Sequence, residues 1–85
     1  MIDIEVLRAY IVLRKHGNPV GIREFQRLMG YRSPGKSKYI LDKMIRIGLA
    51  IRREDGRYYA VKELPAELNE YIVLRGIFIP RMLVY

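Results

Sequence analysis

Between residues 3 and 16 apolar side chains recur every three or four positions. Ile4, Leu7 and Ile11 form one row, and Val6, Tyr10 and Leu13 the next. That spacing predicts a helix with a wide apolar stripe. Asp3 has N-cap chemistry. "HGN" at 16–18 stops the helix, with Gly17 suited to the left-handed C-terminal position. "PVGI" at 19–22 is an extended piece, too short for more than one or two ladder bonds. A second helix, 22–29, buries Ile22, Phe25 and Leu28 or Met29 before Gly30 ends it. After the turn "YRS", Ser33 is again an N-cap, and Pro34 sits at the first helical position, where its missing N–H removes no bond. The third helix spans 34–47. Ser37, Leu41, Met44 and Gly48 share one side, flanked by Ile40, Ile45 and Ile47; Gly35, Tyr39, Asp42 and Arg46 point the other way, with Lys36, Lys38 and Lys43 on the flanks.

"GLAIRREDGRYYAV" then changes period. Two β-prone runs surround Asp55-Gly56, which predicts a hairpin. A two-residue loop would pair Ile51 with Ala60 and put Tyr59 and Val61 opposite Leu49 and Ile51. A three-residue loop with a left-handed Gly56 aligns all four on one face, and is preferred because a one-residue slip flips a strand's faces. That choice turns Arg52, Arg57 and Tyr58 away from the core. Beyond "VKELP", Leu68, Tyr71, Ile72, Arg75 and Ile79 fit a further helix over about 66–79, which Pro80 interrupts. The expected fold class is α+β, with a domain over 1–62 and a helical tail over 63–85.

Composition narrows the possibilities. The chain has 85 residues, room for one domain with a small core. It is 51% hydrophobic and 29% charged, the balance of a globular chain. It has no cysteine, so disulfides, thiolate zinc sites and cysteine nucleophiles are excluded together. Few amides (Asn18, Gln26, Asn69) and many Ile, Arg and Lys lean towards a thermophile. "MIDIEVLRAY" lacks the basic start and apolar run of a secretion signal. The expected location is therefore the cytoplasm or the cytoplasmic face of a membrane. Net charge is +7, and residues 31–57 hold most of it: Arg32, Lys36, Lys38, Lys43, Arg46, Arg52, Arg53 and Arg57 against Asp42, Glu54 and Asp55. A concentrated basic segment is the electrostatic footprint of a polyanion binder.

One motif misleads. "GYRSPGKS", residues 30–37, satisfies the pattern of a nucleotide phosphate loop. Such a loop needs a buried strand before it and a parallel sheet around it. Here "FQRLM", with helical spacing, precedes it, and Pro34 removes a backbone donor from the supposed cradle. The same residues instead read as helix, tight turn, helix. "PVGIREFQRLMGYRSPGKSKYILDKMIRIGLAIRREDGRYYAV" resembles the winged helix-turn-helix module of bacterial and archaeal transcription regulators. The likeness includes the core-spaced L-x-x-L-x-x-x-G-L pattern, here Leu41-Asp-Lys-Met44-Ile-Arg-Ile-Gly48-Leu49, with Met44 at the second leucine position. "VKELPAELNEYIVLRGIFIPRMLVY" is similar to the segment after the wing in archaeal winged-helix proteins, where "IPR" leads into membrane-spanning helices.

The resemblance implies a DNA-binding regulator with a recognition helix at 34–47 and a wing at 49–61; winged helices that bind only protein, or RNA, are the alternatives. Lys36, Lys38 and Tyr39 are expected nearest to base edges. Arg32, Ser33 and Lys43 are expected on phosphates, with Arg52, Arg53, Arg57 and Tyr58 contributed by the wing. Leu68, Tyr71, Ile72, Arg75 and Ile79 are expected either to pair with a second chain in a homodimer or to approach a membrane, with more chain beyond Tyr85. His16 has no evident metal partners. No catalytic constellation and no cofactor are expected.

Overall fold

The computed structural model describes residues 3–63 of the chain. The expectations placed on 64–85, including the tail helix and its contacts through Leu68, Tyr71, Ile72, Arg75 and Ile79, lie outside the described residues. Three helices and a two-stranded antiparallel sheet follow one another: α1 (Ile4–His16), α2 (Ile22–Met29), α3 (Pro34–Ile47), β1 (Ala50–Arg52) and β2 (Tyr58–Ala60). The class is α+β, compatible with a winged-helix layout.

The helix ends follow local chemistry. Asp3 accepts from the Val6 N–H at 2.8 Å, and Ser33 accepts from the Lys36 N–H at 3.2 Å, so each cap satisfies an orphan donor. Gly48 closes α3 at φ 95°, which places the Leu49 N–H 2.8 Å from the Met44 carbonyl. This is the Schellman closure, accompanied by burial of the apolar residue that follows it.

The core gathers Val6, Leu7, Ala9, Tyr10 and Leu13 of α1, Phe25 and Met29 of α2, and Ile40, Leu41 and Met44 of α3, with Val20, Leu49, Ala50, Tyr58 and Ala60. The packed stripe of α1 is centred on Val6, Tyr10 and Leu13. Ile4, at its margin, is 65% exposed rather than buried. In α2 Met29, not Leu28, fills the inward position. Ser37 is fully buried where α2 and α3 meet, and its hydroxyl donates to the Ile22 carbonyl at 2.7 Å.

The hairpin has the bulged register. Ile51 faces Tyr59, Arg52 faces Tyr58, and the loop turns through Gly56 at φ 86°. Its orientation is the reverse of the expected one. Ala50, Tyr58 and Ala60 face the core, whereas Ile51 is 44% exposed and Tyr59 and Val61 are half-buried. Two features force this. The Tyr58 N–H and carbonyl each bond Val20 at 2.8 Å, which seats β2 against the α1–α2 connection. The Tyr10 hydroxyl, from the core, donates to the Val61 carbonyl at 2.7 Å. Leu49 is buried for a separate reason, its place in the α3 closure. Tyr58 is therefore 3% exposed, a packing residue rather than the surface contact expected of it.

Ser37 tests the helix crossing. Ser37→Ala is expected to cost about 1 kcal/mol through the lost hydrogen bond. Ser37→Leu is expected to cost more, about 1–3 kcal/mol, because it overpacks a closed interface. Urea midpoints of the two variants against the native chain measure both.

Candidate nucleic-acid interface

The first turn of α3 contains no acidic residue. Around it, Arg32, Ser33, Lys36, Lys38 and Tyr39 are all exposed, Tyr39 at 55%. A helix N-terminus carries partial positive charge, so lysines at this end repel it and an anion would relieve that repulsion. Ser33 already spends its side-chain oxygen on the cap. What it offers a ligand is its hydroxyl proton and the nearby backbone.

The lysines are held differently. The Lys36 ammonium lies 5.6 Å from the centre of the Tyr31 ring, within cation–π range. Tyr31 is itself fixed. Its hydroxyl donates to Glu5 Oε1, and its ring meets Phe25 edge-on at 6.2 Å. Burial, and then the Glu5 carboxylate, push the phenol above its ordinary range, so it stays protonated. Nothing in the sequence pattern marks Tyr31 as a support for Lys36, because Glu5 and Phe25 come from two other helices. Lys38 bonds Asp42 at 3.0 Å, one helical turn on. That hydrogen bond raises the Lys38 ammonium, while the charge of Arg52 opposes the shift. Arg52 is the cross-strand partner of the buried Tyr58, so it lies on the side of the hairpin that faces the helices.

The other expected residues divide. Arg52 is the cross-strand partner of Tyr58, and its guanidinium lies beside Gly56, 3.7 Å from where a Cβ on that glycine would stand. Alternation places Arg53 on the opposite side from Arg52. Arg53 approaches Asp55 at 3.6 Å, and Arg57 is exposed at the tip. Lys43, expected on a phosphate, is instead bound to the α1 cap, Asp3, at 2.9 Å. Its hydrogen bond lowers the Asp3 carboxyl and raises the Lys43 ammonium, two shifts that agree. Tyr58, buried, makes no part of the surface.

Away from this face, His16 approaches Glu24 at 3.6 Å. Among the described residues no group of His, Cys, Asp and Glu could hold a metal ion, and no helix is long and apolar enough to cross a membrane. Comparison with protein-family models, with curated proteins and with solved structures finds no match to this chain.

The Asp3 contacts make a pH prediction. A carboxylate whose folded pKa lies below 3.8 stabilises the fold above that pH and loses its contribution as pH falls through the folded value. Asp3→Ala is expected to cost about 1 kcal/mol at neutral pH, mostly through the lost cap. Its melting temperature should converge on that of the native chain below pH 3.8. Thermal melts across an acid series check the convergence.

Proposed function

We propose that this chain is a winged helix-turn-helix regulator that binds double-stranded DNA, with α3 in the major groove and the hairpin as its wing. One observation carries this reading: the start of α3 presents exposed Lys36 and Lys38 with no acid in the first turn, and Arg52 lies on the helix-facing side of the hairpin. Isolated surface lysines are ordinary. Lys36 sits at the positive end of the helix dipole, where a cation is disfavoured and a bound anion would relieve the repulsion, while Lys38 is balanced by Asp42 and can share its ammonium with an anion.

The roles follow from position. Lys36, Lys38 and Tyr39 face a base edge or the phosphates next to it. Asp42 keeps the Lys38 ammonium along the helix and must release or share it on binding. Arg32 and the backbone of the Ser33 turn hold the flanking phosphate, and Arg52 holds the next one across the groove. Arg57 extends the basic surface at the wing tip, whereas Arg53 lies on the far side of the hairpin beside Asp55. Lys43 secures α1 to α3 through Asp3 and contributes rigidity rather than contact. About six neutralised phosphates would give affinity falling roughly as the fifth power of salt concentration.

Fluorescence anisotropy on a mixed-sequence duplex, over a salt series, tests the proposal. Lys36→Ala with Lys38→Ala is expected to lower the salt slope by about 2. Lys36→Glu with Lys38→Glu should reduce affinity by about 100-fold or more at fixed salt. Affinity within twofold of the native chain in both variants would contradict it. So would equal or tighter binding to structured RNA at matched salt.

A further inference from the structure

Tyr31, in the turn between α2 and α3, is fastened at both its backbone and its side chain. Its N–H donates to the Gln26 carbonyl at 3.0 Å, and its carbonyl accepts from Gln26 Nε2 at 3.2 Å. From α1, Glu5 Oε1 accepts from its hydroxyl. Glu5 is held in turn by Arg8, whose Nη1 donates to Oε2 at 3.3 Å. Arg8 Nη2 donates to the Met29 carbonyl at 3.1 Å, at the end of α2. The contacts therefore run from the end of α2 through Arg8 and Glu5 to Tyr31, and through Gln26 back into α2. The ring fixed in this way carries the Lys36 ammonium over its face, 5.6 Å from its centre.

Holding the turn does not require Lys36, which is exposed and opposes the helix dipole. The other two lysines of α3 have carboxylate partners, Lys38 with Asp42 and Lys43 with Asp3. A carboxylate balances the charge it holds. A ring restrains an ammonium and leaves its charge available to an anion. We propose that Glu5, Arg8 and Tyr31 form a positioning device that pre-orders Lys36 for contact with duplex DNA. The inference rests on the DNA reading above and extends it to α1. Glu5 and Arg8 do not touch the duplex; they act through the ring. A lysine restrained before binding loses less side-chain freedom when it binds. The role of Glu5 has a distinctive sign. As a bare charge near the interface it repels phosphate, and its removal tightens binding. As the anchor of the ring, its removal weakens binding.

Two measurements on the full chain test the device. In NMR spectra without DNA, the Lys36 ε-methylene protons should be shielded by the ring in the native chain, and move to the free-lysine position in Tyr31→Leu. Anisotropy on the mixed-sequence duplex should show Tyr31→Leu binding about threefold more weakly, the range of an exposed cation–π contact. The salt slope should stay unchanged, because Lys36 keeps its charge. In a Lys36→Ala background, Tyr31→Leu should alter affinity by less than about 1.5-fold. Glu5→Ala should weaken binding by about twofold although it removes a negative charge. Tyr31→Phe, which keeps the ring, should fall between the native chain and Tyr31→Leu in both measurements. If Tyr31→Leu does not fold, Glu5→Ala and Tyr31→Phe carry the test. An equal loss with and without Lys36 would overturn the proposal, since Tyr31 would then act through the turn alone. Tighter binding by Glu5→Ala would overturn it, as would unchanged affinity in Tyr31→Leu. A native chain that binds duplex while its Lys36 ε-protons lie at the free-lysine position defeats this inference alone. Shielded ε-protons in a native chain that binds no duplex defeat the DNA reading, and the positioning role with it.

Discussion

Val20 and Tyr58 exchange two hydrogen bonds of 2.8 Å, and the geometry of the rest of the surface follows from that exchange. Val20 is a single bridging residue between two helices, yet it adds a third edge to a two-stranded hairpin. Tyr58 must then present its ring to the core, and Arg52, its cross-strand partner, must lie on the helix side. The hairpin is fixed at its far end as well, by the Tyr10 hydroxyl on the Val61 carbonyl. Val20, Tyr58 and Tyr10 are all buried, where a hydrogen bond left unmade is costly. Among the described residues no buried side-chain polar atom lacks a partner. The helix-facing position of Arg52 is thus a consequence of core bonding.

Internal ion pairs shape the basic surface. Eight cations fall within residues 31–57, but they are not equivalent once folded. Lys43 is bound to Asp3, and Lys38 shares its proton-bearing end with Asp42. Arg53 leans towards Asp55. Exposed pairs of this kind contribute little to stability. Their effect is directional: they hold long side chains in place and tune which of them can reach an anion without first breaking a contact. Lys36 is held by an aromatic ring instead, and a ring leaves the ammonium's three donors open.

Much of the fold is legible in the sequence because local chemistry decides it. Asp3, Ser33, Pro34, Gly17, Gly30 and Gly48 set the helix limits, and each acts within a few residues of itself. The hairpin register is legible for the same reason, since Gly56 in the left-handed region dictates the loop. The side of the hairpin that faces inward is not legible. Both strand faces offer apolar residues, and the choice rests on Val20, 38 positions before Tyr58 and part of no named strand. The fate of Lys43 escapes for a similar reason, because Asp3 is 40 residues away. The exposure of Arg32, Ser33, Lys36, Lys38 and Tyr39 is legible because it depends on the start of one helix. The burial of Tyr58 and the pairing of Lys43 with Asp3 are not legible, because tertiary contacts decide them.

The central claim is that the start of α3 and the helix-facing side of the hairpin act as one anion-binding surface. Amide chemical shifts followed while duplex DNA is titrated into the full chain test it most directly. The account predicts that residues 32–39 and 52–57 shift together, with one dissociation constant, while Ile51, Tyr59 and Val61 on the outer hairpin face keep their positions. Shifts confined to the outer face, or two elements responding with different constants, would contradict it.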